Sequence, residues 1–133
     1  MLNNKSNFNK DKDLLLVLLS RSDNISLIKK NYNKKIILID RFTDSTIAYQ
    51  HYGMGINLKL INVLNNYLLK DIKIGFTFLN ILNNKNLLLR LKNRQTLNRY
   101  DKFNSVFYNK VHNCFIKLAK THIKSYIIIN SNL

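Results

Sequence analysis

The side chains best suited to chemistry sit together in one run, Asp40-Arg41-Phe42-Thr43-Asp44-Ser45-Thr46-Ile47-Ala48-Tyr49-Gln50. Asp40 can hold water around a metal ion or orient a neighbour. Arg41 offers a planar fork of donors that matches a phosphate or a carboxylate. Ser45, Thr46, Tyr49 and Gln50 add hydrogen-bonding groups and a ring on the following helical turns. A plainer reading also accounts for these residues: an Asp–Arg ion pair that closes a strand, followed by a polar helix. Spacing alone leaves both readings open. Three more arginines could face an anion. Arg21 ends a leucine-rich run, where it could equally be a helix-end cation favoured by the macrodipole. Arg94 and Arg99 lie in a polar link, where a solvated basic linker is the alternative.

The elements that must position these groups read as alternating helices and strands. Residues 1–10 are a polar, asparagine-rich lead-in. The stretch from Asp13 through Ile28 alternates too poorly for a strand and predicts one or two helices. Residues 35–40 form a short continuous apolar run ending in Asp40, the pattern of a strand buried on both faces of a parallel sheet. Its carboxyl end is where ligands bind in open α/β sheets. A short helix follows at 43–50, and Gly53 and Gly55 punctuate the chain. A second helix is expected to bury Ile56, Leu60, Val63, Leu64 and Tyr67. Residues 72–81 predict another buried strand. Residues 84–94 predict a helix with Leu87, Leu88 and Leu91 on its buried side. A long amphipathic helix is expected at 102–120, and residues 126–129 as a last strand. Strands that alternate with helices imply a parallel sheet covered on both faces. Residues 11–133 read as a single domain with no internal repeat.

Composition narrows the function classes. The 133 residues carry a net charge of +15, with 22 basic and 7 acidic residues. Asparagine, lysine, isoleucine and leucine dominate, every acidic residue is an aspartate, and proline is absent, a skew that AT-rich coding produces. Such a charge points to a polyanion, and a nucleotide fits it as well as a nucleic acid does. The lysines are spread along the chain without a run of five basic residues, so specific nucleic-acid binding is not expected. Cys114 is the single cysteine, which excludes an intramolecular disulfide. His51, His112 and His122 lack metal-ligand spacing. No secretory signal opens the chain, and the run at 14–19 is too short to span a bilayer. A cytoplasmic protein without a membrane partner is expected. The rings of Tyr100, Phe103, Phe107, Tyr108 and Phe115 read as core or helix-face residues rather than a base-stacking platform.

The run from Asp40 to Gln50 resembles the Asp-Arg-(Phe/Tyr)-x-x-Ser-x-x-Ala-Tyr-Gln signature of bacterial-type thymidylate (dTMP) kinases and matches it at every fixed position. Gly53-Met54-Gly55-Ile56 is similar to the family's glycine-arginine-glycine-leucine segment. The run from Leu14 to Arg21 looks like the family helix that ends in an arginine facing the base. Residues 90–101 resemble its mobile lid (about 94–101), and residues 107–120 its following helix. The resemblance implies a three-layer α/β/α parallel sheet of the P-loop NTPase, nucleoside monophosphate kinase type. It implies phosphoryl transfer from ATP, with Mg2+, to dTMP. Arg41 would grip the dTMP phosphate, and Arg21 would hydrogen-bond a thymine carbonyl. Ser45, Thr46, Tyr49 and Gln50 would line base and sugar. Asp40 would act near the magnesium ion through water, with no direct metal ligand. Arg94 and Arg99 would close over the ATP phosphates. A homodimer is also implied.

Several positions depart from the family pattern. His51 stands for a usual glycine, Met54 for arginine, Asn80 for aspartate and Asn98 for aspartate. No G-x-x-x-x-G-K-[ST] segment, which would cradle ATP phosphates, occurs in the sequence. The resemblance therefore implies a truncated form that lacks the family's N-terminal P-loop and its closing helix, with catalysis by this chain alone in question. Two other functions fit: a thymidylate-binding remnant or partner of a separate P-loop fragment, and a basic nucleic-acid-binding protein.

Overall fold

Asparagine begins four of the described helices. The structure, a computed structural model, describes residues 9–70, 72–93, 100 and 103–132. Helix α1 spans Lys10–Asn31, and the Asn9 side chain accepts from the Lys12 amide at 2.9 Å. Helix α2 is the single turn Thr43–Thr46, and it runs directly into a π-helix, Ile47–Gly53. Helix α3, Leu58–Leu69, is capped by Asn57, which accepts from Lys59 at 2.8 Å. Strand β1 covers Thr77–Ile81, and helix α4 covers Asn84–Lys92. Asn83 accepts from the Asn86 amide at 2.8 Å at the start of α4. Helix α5, Ser105–Thr121, is capped by Asn104, which accepts from Phe107 at 2.9 Å. Strand β2 is Tyr126–Asn130. In a chain rich in asparagine, these side chains each satisfy one of the orphan amides at a helix start. Asp11 and Asp13 in the first turn of α1, and Lys29 and Lys30 in its last, also oppose the helix dipole.

Strands β1 and β2 pair in parallel, with Thr77 opposite Tyr126 and Ile81 opposite Asn130. The connection between them carries α4 and α5, as a parallel crossover requires. The fold is α/β, and the sheet among the described residues has these two strands.

The core lies around the π-helix. Leu14 and Leu18 of α1 meet Ile56 and Ile61 on one side. Ala48 meets Phe107, Val111 and Cys114 of α5 on the other. Ile47 packs against both groups, so the segment that carries the candidate site is itself the centre of the packing. Ala48, Thr46 and Ile61 are fully buried. The π-helix stops where Gly55 takes φ +76°, a backbone state that glycine alone adopts freely.

Four expectations need correction. Residues 35–40 belong to no ladder, and Ile36 and Leu38 are 94% and 86% exposed. A parallel strand is buried only when neighbours pair with it and helices cover it, and no described strand lies alongside. The second strand is shorter than expected, Thr77–Ile81 rather than 72–81, and none of its residues is fully buried. Helix α3 keeps its apolar period but turns a different face inward. Leu60, Val63 and Tyr67 are exposed, while Ile61, Leu64, Asn65 and Leu68 face the protein. The helix expected at 43–50 is an α-turn that widens into a π-helix reaching Gly53. The helices expected at 84–94 and 102–120 hold within two or three residues. Leu87 is half-buried, and the side chains of Leu88 and Leu91 lie outside the described residues. The third strand is present as read.

Gly53 is fixed by close approach. A Cβ there would lie 2.4 Å from Cε2 of Phe107. The Phe107 ring is itself stacked on Phe103 at 4.0 Å and cannot readily step aside. Gly53→Ala is expected to lower stability by about 1–3 kcal/mol through overpacking. Urea unfolding followed by circular dichroism checks this, and in a Phe107→Leu background the alanine should cost clearly less.

Candidate functional site

The chain enters the site through residues 35–40 and turns sharply at Arg41, whose φ is 58°. A non-glycine residue in the left-handed region carries strain on the order of 1–2 kcal/mol, so neighbouring contacts must hold the turn. Two do. The Phe42 carbonyl accepts from the Ser45 amide at 3.1 Å and from Arg21 Nη2 at 3.0 Å. Arg21 comes from the middle of α1, and its Nη1 donates to Asn65 Oδ1 on α3 at 3.0 Å. Its Cζ also lies 5.5 Å from the centre of the Phe42 ring. Burial pushes the Arg21 pKa down, and the charge of Asp44 works against that shift.

Beside this turn, the exposed Arg41 guanidinium lies over the ring of Tyr49, 5.1 Å from its centre. Tyr49 is in turn met edge-on by Tyr100 at 5.2 Å and by Phe107 at 5.9 Å. Contact with Arg41, which includes a side-chain hydrogen bond, and the two edge contacts fix the Tyr49 ring. Tyr100, Phe103 and Phe107 thus form a packed aromatic support behind it.

Below the ring runs a buried polar network. Asp13, 1% exposed, accepts from Gln50 Nε2 at 2.8 Å and from the Tyr100 hydroxyl at 3.1 Å. A carboxylate that deep needs such donors, because leaving one unmet costs about 1–3 kcal/mol. On the far side, Asp44 Oδ2 accepts from the Tyr126 hydroxyl at the start of β2. This bond ties α2 to the sheet and, with burial as the larger cause, raises the Tyr126 pKa.

The residues singled out in the sequence come together unequally. Arg21 bonds the carbonyl of Phe42, the residue after Arg41, while Arg41 lies over Tyr49 and Gln50 bonds Asp13. Ser45 is half-buried on α2. Thr46 is fully buried, and its Oγ1 has no hydrogen-bond partner. Asp40 is exposed in the loop that precedes Arg41. Among the described residues no group of three His, Cys or Asp side chains could hold a metal ion. Arg94 and Arg99 lie outside the described residues. Sequence reasoning missed Asp13, Asn65, Asp44 and Tyr126. Asp13 gave the signal of a helix-start acid, and Asn65 that of a polar residue four positions from Ile61 on a buried stripe. The Asp44–Tyr126 pair spans 82 positions and leaves no local mark.

The family model for thymidylate kinase matches residues 1–133. The chain belongs to the thymidylate kinase family. It is 34% identical over 130 residues to the thymidylate kinase of Thermosipho africanus, covering 96% of this chain and 64% of that protein. It is likewise 34% identical over 109 residues to that of the Wolbachia of Brugia malayi, covering 80% of this chain and 51% of the relative. The crystal structure of thymidylate kinase from Ehrlichia chaffeensis superposes with a TM-score of 0.69 at 28% identity, covering 96% of this chain and 59% of that one. The chain therefore spans roughly half to two thirds of the length of these thymidylate kinases. No helix among the described residues is long and apolar enough to cross a membrane.

Cys114, behind the site, is 1% exposed, and its thiol is pushed up to about 11 by burial and by the charge of Asp44, with Lys117 opposing. An unfolded thiol titrates near 9.0. Stability from this group is complete below pH 9 and declines as pH rises toward 11, because the unfolded chain releases its proton first. Between pH 9 and 10, below the ordinary tyrosine value of 10.0, the native chain should lose stability more steeply than Cys114→Ala. Denaturation midpoints across that interval measure the difference.

Proposed function

We propose that this chain supplies the acceptor side of a thymidylate kinase, where dTMP takes a phosphoryl group from ATP and leaves as dTDP. The observation that carries the reading is the meeting of two arginines at Phe42. Arg41 precedes that residue in the chain, and Arg21 binds its carbonyl from α1. One exposed guanidinium suits a phosphate, and one buried guanidinium suits a neutral ring carbonyl. A nucleoside monophosphate presents both groups, one at each end of its sugar.

In this reading Arg41, steadied by the Tyr49 ring, grips the dTMP phosphate. Arg21 donates to a thymine carbonyl, and the unmet Thr46 hydroxyl and Ser45 face the base side. Tyr49 packs beside the deoxyribose, and Gln50, held by Asp13, supports the floor of the site. Arg94 and Arg99 neutralise the ATP phosphates. Phosphoryl transfer relies on such positioning and charge neutralisation rather than on covalent steps. Magnesium keeps much of its water and binds through one or two carboxylates and substrate phosphates, so the single exposed carboxylate of Asp40 fits a water-mediated role. Bound with ATP, the ion supplies charge neutralisation of the phosphates. The sequence contains no G-x-x-x-x-G-K-[ST] run to cradle those phosphates.

Calorimetric titration with dTMP and dGMP, and a phosphorylation assay with ATP and magnesium, test the proposal. The chain should bind dTMP in preference to dGMP. Arg41→Ala should weaken dTMP binding roughly 10- to 100-fold, the worth of a charge-assisted contact. Phosphorylation lost in Arg41→Ala would place the whole activity in this chain, whereas binding without turnover would restrict it to the acceptor side. Equal affinity for dTMP and dGMP, or tight binding of nucleic acid that collapses with salt, would overturn the reading.

A further inference from the structure

We propose that Asn65, on α3, is the positioning residue that holds Arg21 in the orientation from which it reads the base; the inference rests on the thymidylate reading above. Asn65 is 5% exposed and Arg21 7% exposed, so both polar groups are withdrawn from water. Asn65 stands on the inward face of α3, between Ile61 and Leu68, which pack into the core. An amide at such a position is unfavourable unless it is hydrogen-bonded. Its Oδ1 accepts from Arg21 Nη1 at 3.0 Å across 44 positions of sequence.

The guanidinium is rigid and planar, with five donors in fixed directions. One bond on Nη1 and another from Nη2 to the Phe42 carbonyl, also 3.0 Å, fix the plane and its rotation together. The directions of the remaining donors, Nε–H and one hydrogen on each Nη, then follow without further freedom. Either bond alone would leave the group free to swing about the other. Both acceptors are neutral. A carboxylate at position 65 would hold the fork too, but it would cancel the charge that strengthens a bond to a ligand carbonyl. Asp44, the anion that acts on Arg21, already accepts from Tyr126. Asn65 therefore orients Arg21 and leaves its positive charge available. A fixed array of donors favours a ring carbonyl and disfavours an amino group in the same place, because two donors then face each other.

The test compares dTMP with 5-methyl-dCMP, which bears an amino group in place of one ring carbonyl. Both are titrated into the chain, Asn65→Leu and Asn65→Asp, with inorganic phosphate as the control ligand for Arg41. Nitrogen-15 spectra of the arginine side chains report whether the Arg21 Nη hydrogens are held. In Asn65→Leu the preference for dTMP over 5-methyl-dCMP should fall roughly five- to tenfold, the worth of losing one partner of a charged donor. The Arg21 Nη signals should average by rotation, while phosphate affinity stays unchanged. Asn65→Asp, which keeps the acceptor, should restore the held signals. Should leucine prevent folding, Asn65→Ala serves the same comparison. Unchanged preference and unchanged signals in Asn65→Leu would overturn the proposal. So would equal weakening toward both nucleotides and phosphate, since that marks a merely structural residue. If the native chain binds neither nucleotide, the thymidylate reading fails, and the spectra decide the remainder. Signals retained in Asn65→Leu refute the hold, and signals lost there but kept in Asn65→Asp uphold it.

Discussion

The two hydrogen bonds of Arg21 are the constraint on which the rest of the site depends. They join α1, α3 and the turn at Arg41 at one guanidinium. That turn is strained, with Arg41 at φ 58°, and Phe42 is where the strain is met: its carbonyl takes bonds from both Arg21 and Ser45. Release of the guanidinium would free the backbone that presents Arg41 and loosen α1 from α3. A lysine could not replace it, since a single ammonium on a flexible stem does not fix two acceptors in one plane.

Around this tie the structure uses polar anchors and apolar packing for different purposes. The apolar groups, Leu14, Leu18, Ile56 and Ile61 on one side and Ala48, Phe107, Val111 and Cys114 on the other, set how close the helices come. The polar anchors set which way the side chains of the site point. Asp13 fixes Gln50 and Tyr100, Asp44 fixes Tyr126, and Asn65 fixes Arg21. Burial makes each of these bonds specific, because an alternative arrangement would strand a polar group away from water. The widened turn of the π-helix places fully buried Ala48 and Gln50 within the same segment as the half-buried Tyr49. Such widened turns recur at functional sites.

Much of this was legible from residue order. Helix period located α1, α3, α4 and α5, and β-branched runs located β1 and β2, because both signals are local. The run from Asp40 to Gln50 carried the family likeness, and Arg21 bonds the Phe42 carbonyl within it. Position on a face was less legible. Helix α3 presents Ile61, Asn65 and Leu68 inward where the pattern favoured Leu60, Val63 and Tyr67. An apolar helix with few charges fits either face, so its rotation is chosen by whatever it packs against. Residues 35–40 show the same limit in a strand. Their composition suits burial, yet burial needs a paired neighbour, and Ile36 and Leu38 stand exposed.

The sequence by itself determined the local matters: which runs favour helices, which favour strands, and which residues could meet an anion. It also determined the family, since a signature of spaced residue types survives in linear order. Tertiary structure alone decided the partners. Asp13 with Gln50 and Tyr100, Asn65 with Arg21, and Asp44 with Tyr126 are separated by 37 to 87 positions. No local energy distinguishes these polar residues from their exposed counterparts. Only when packing removes water does an aspartate or asparagine need one particular donor, and that need arises from the folded arrangement.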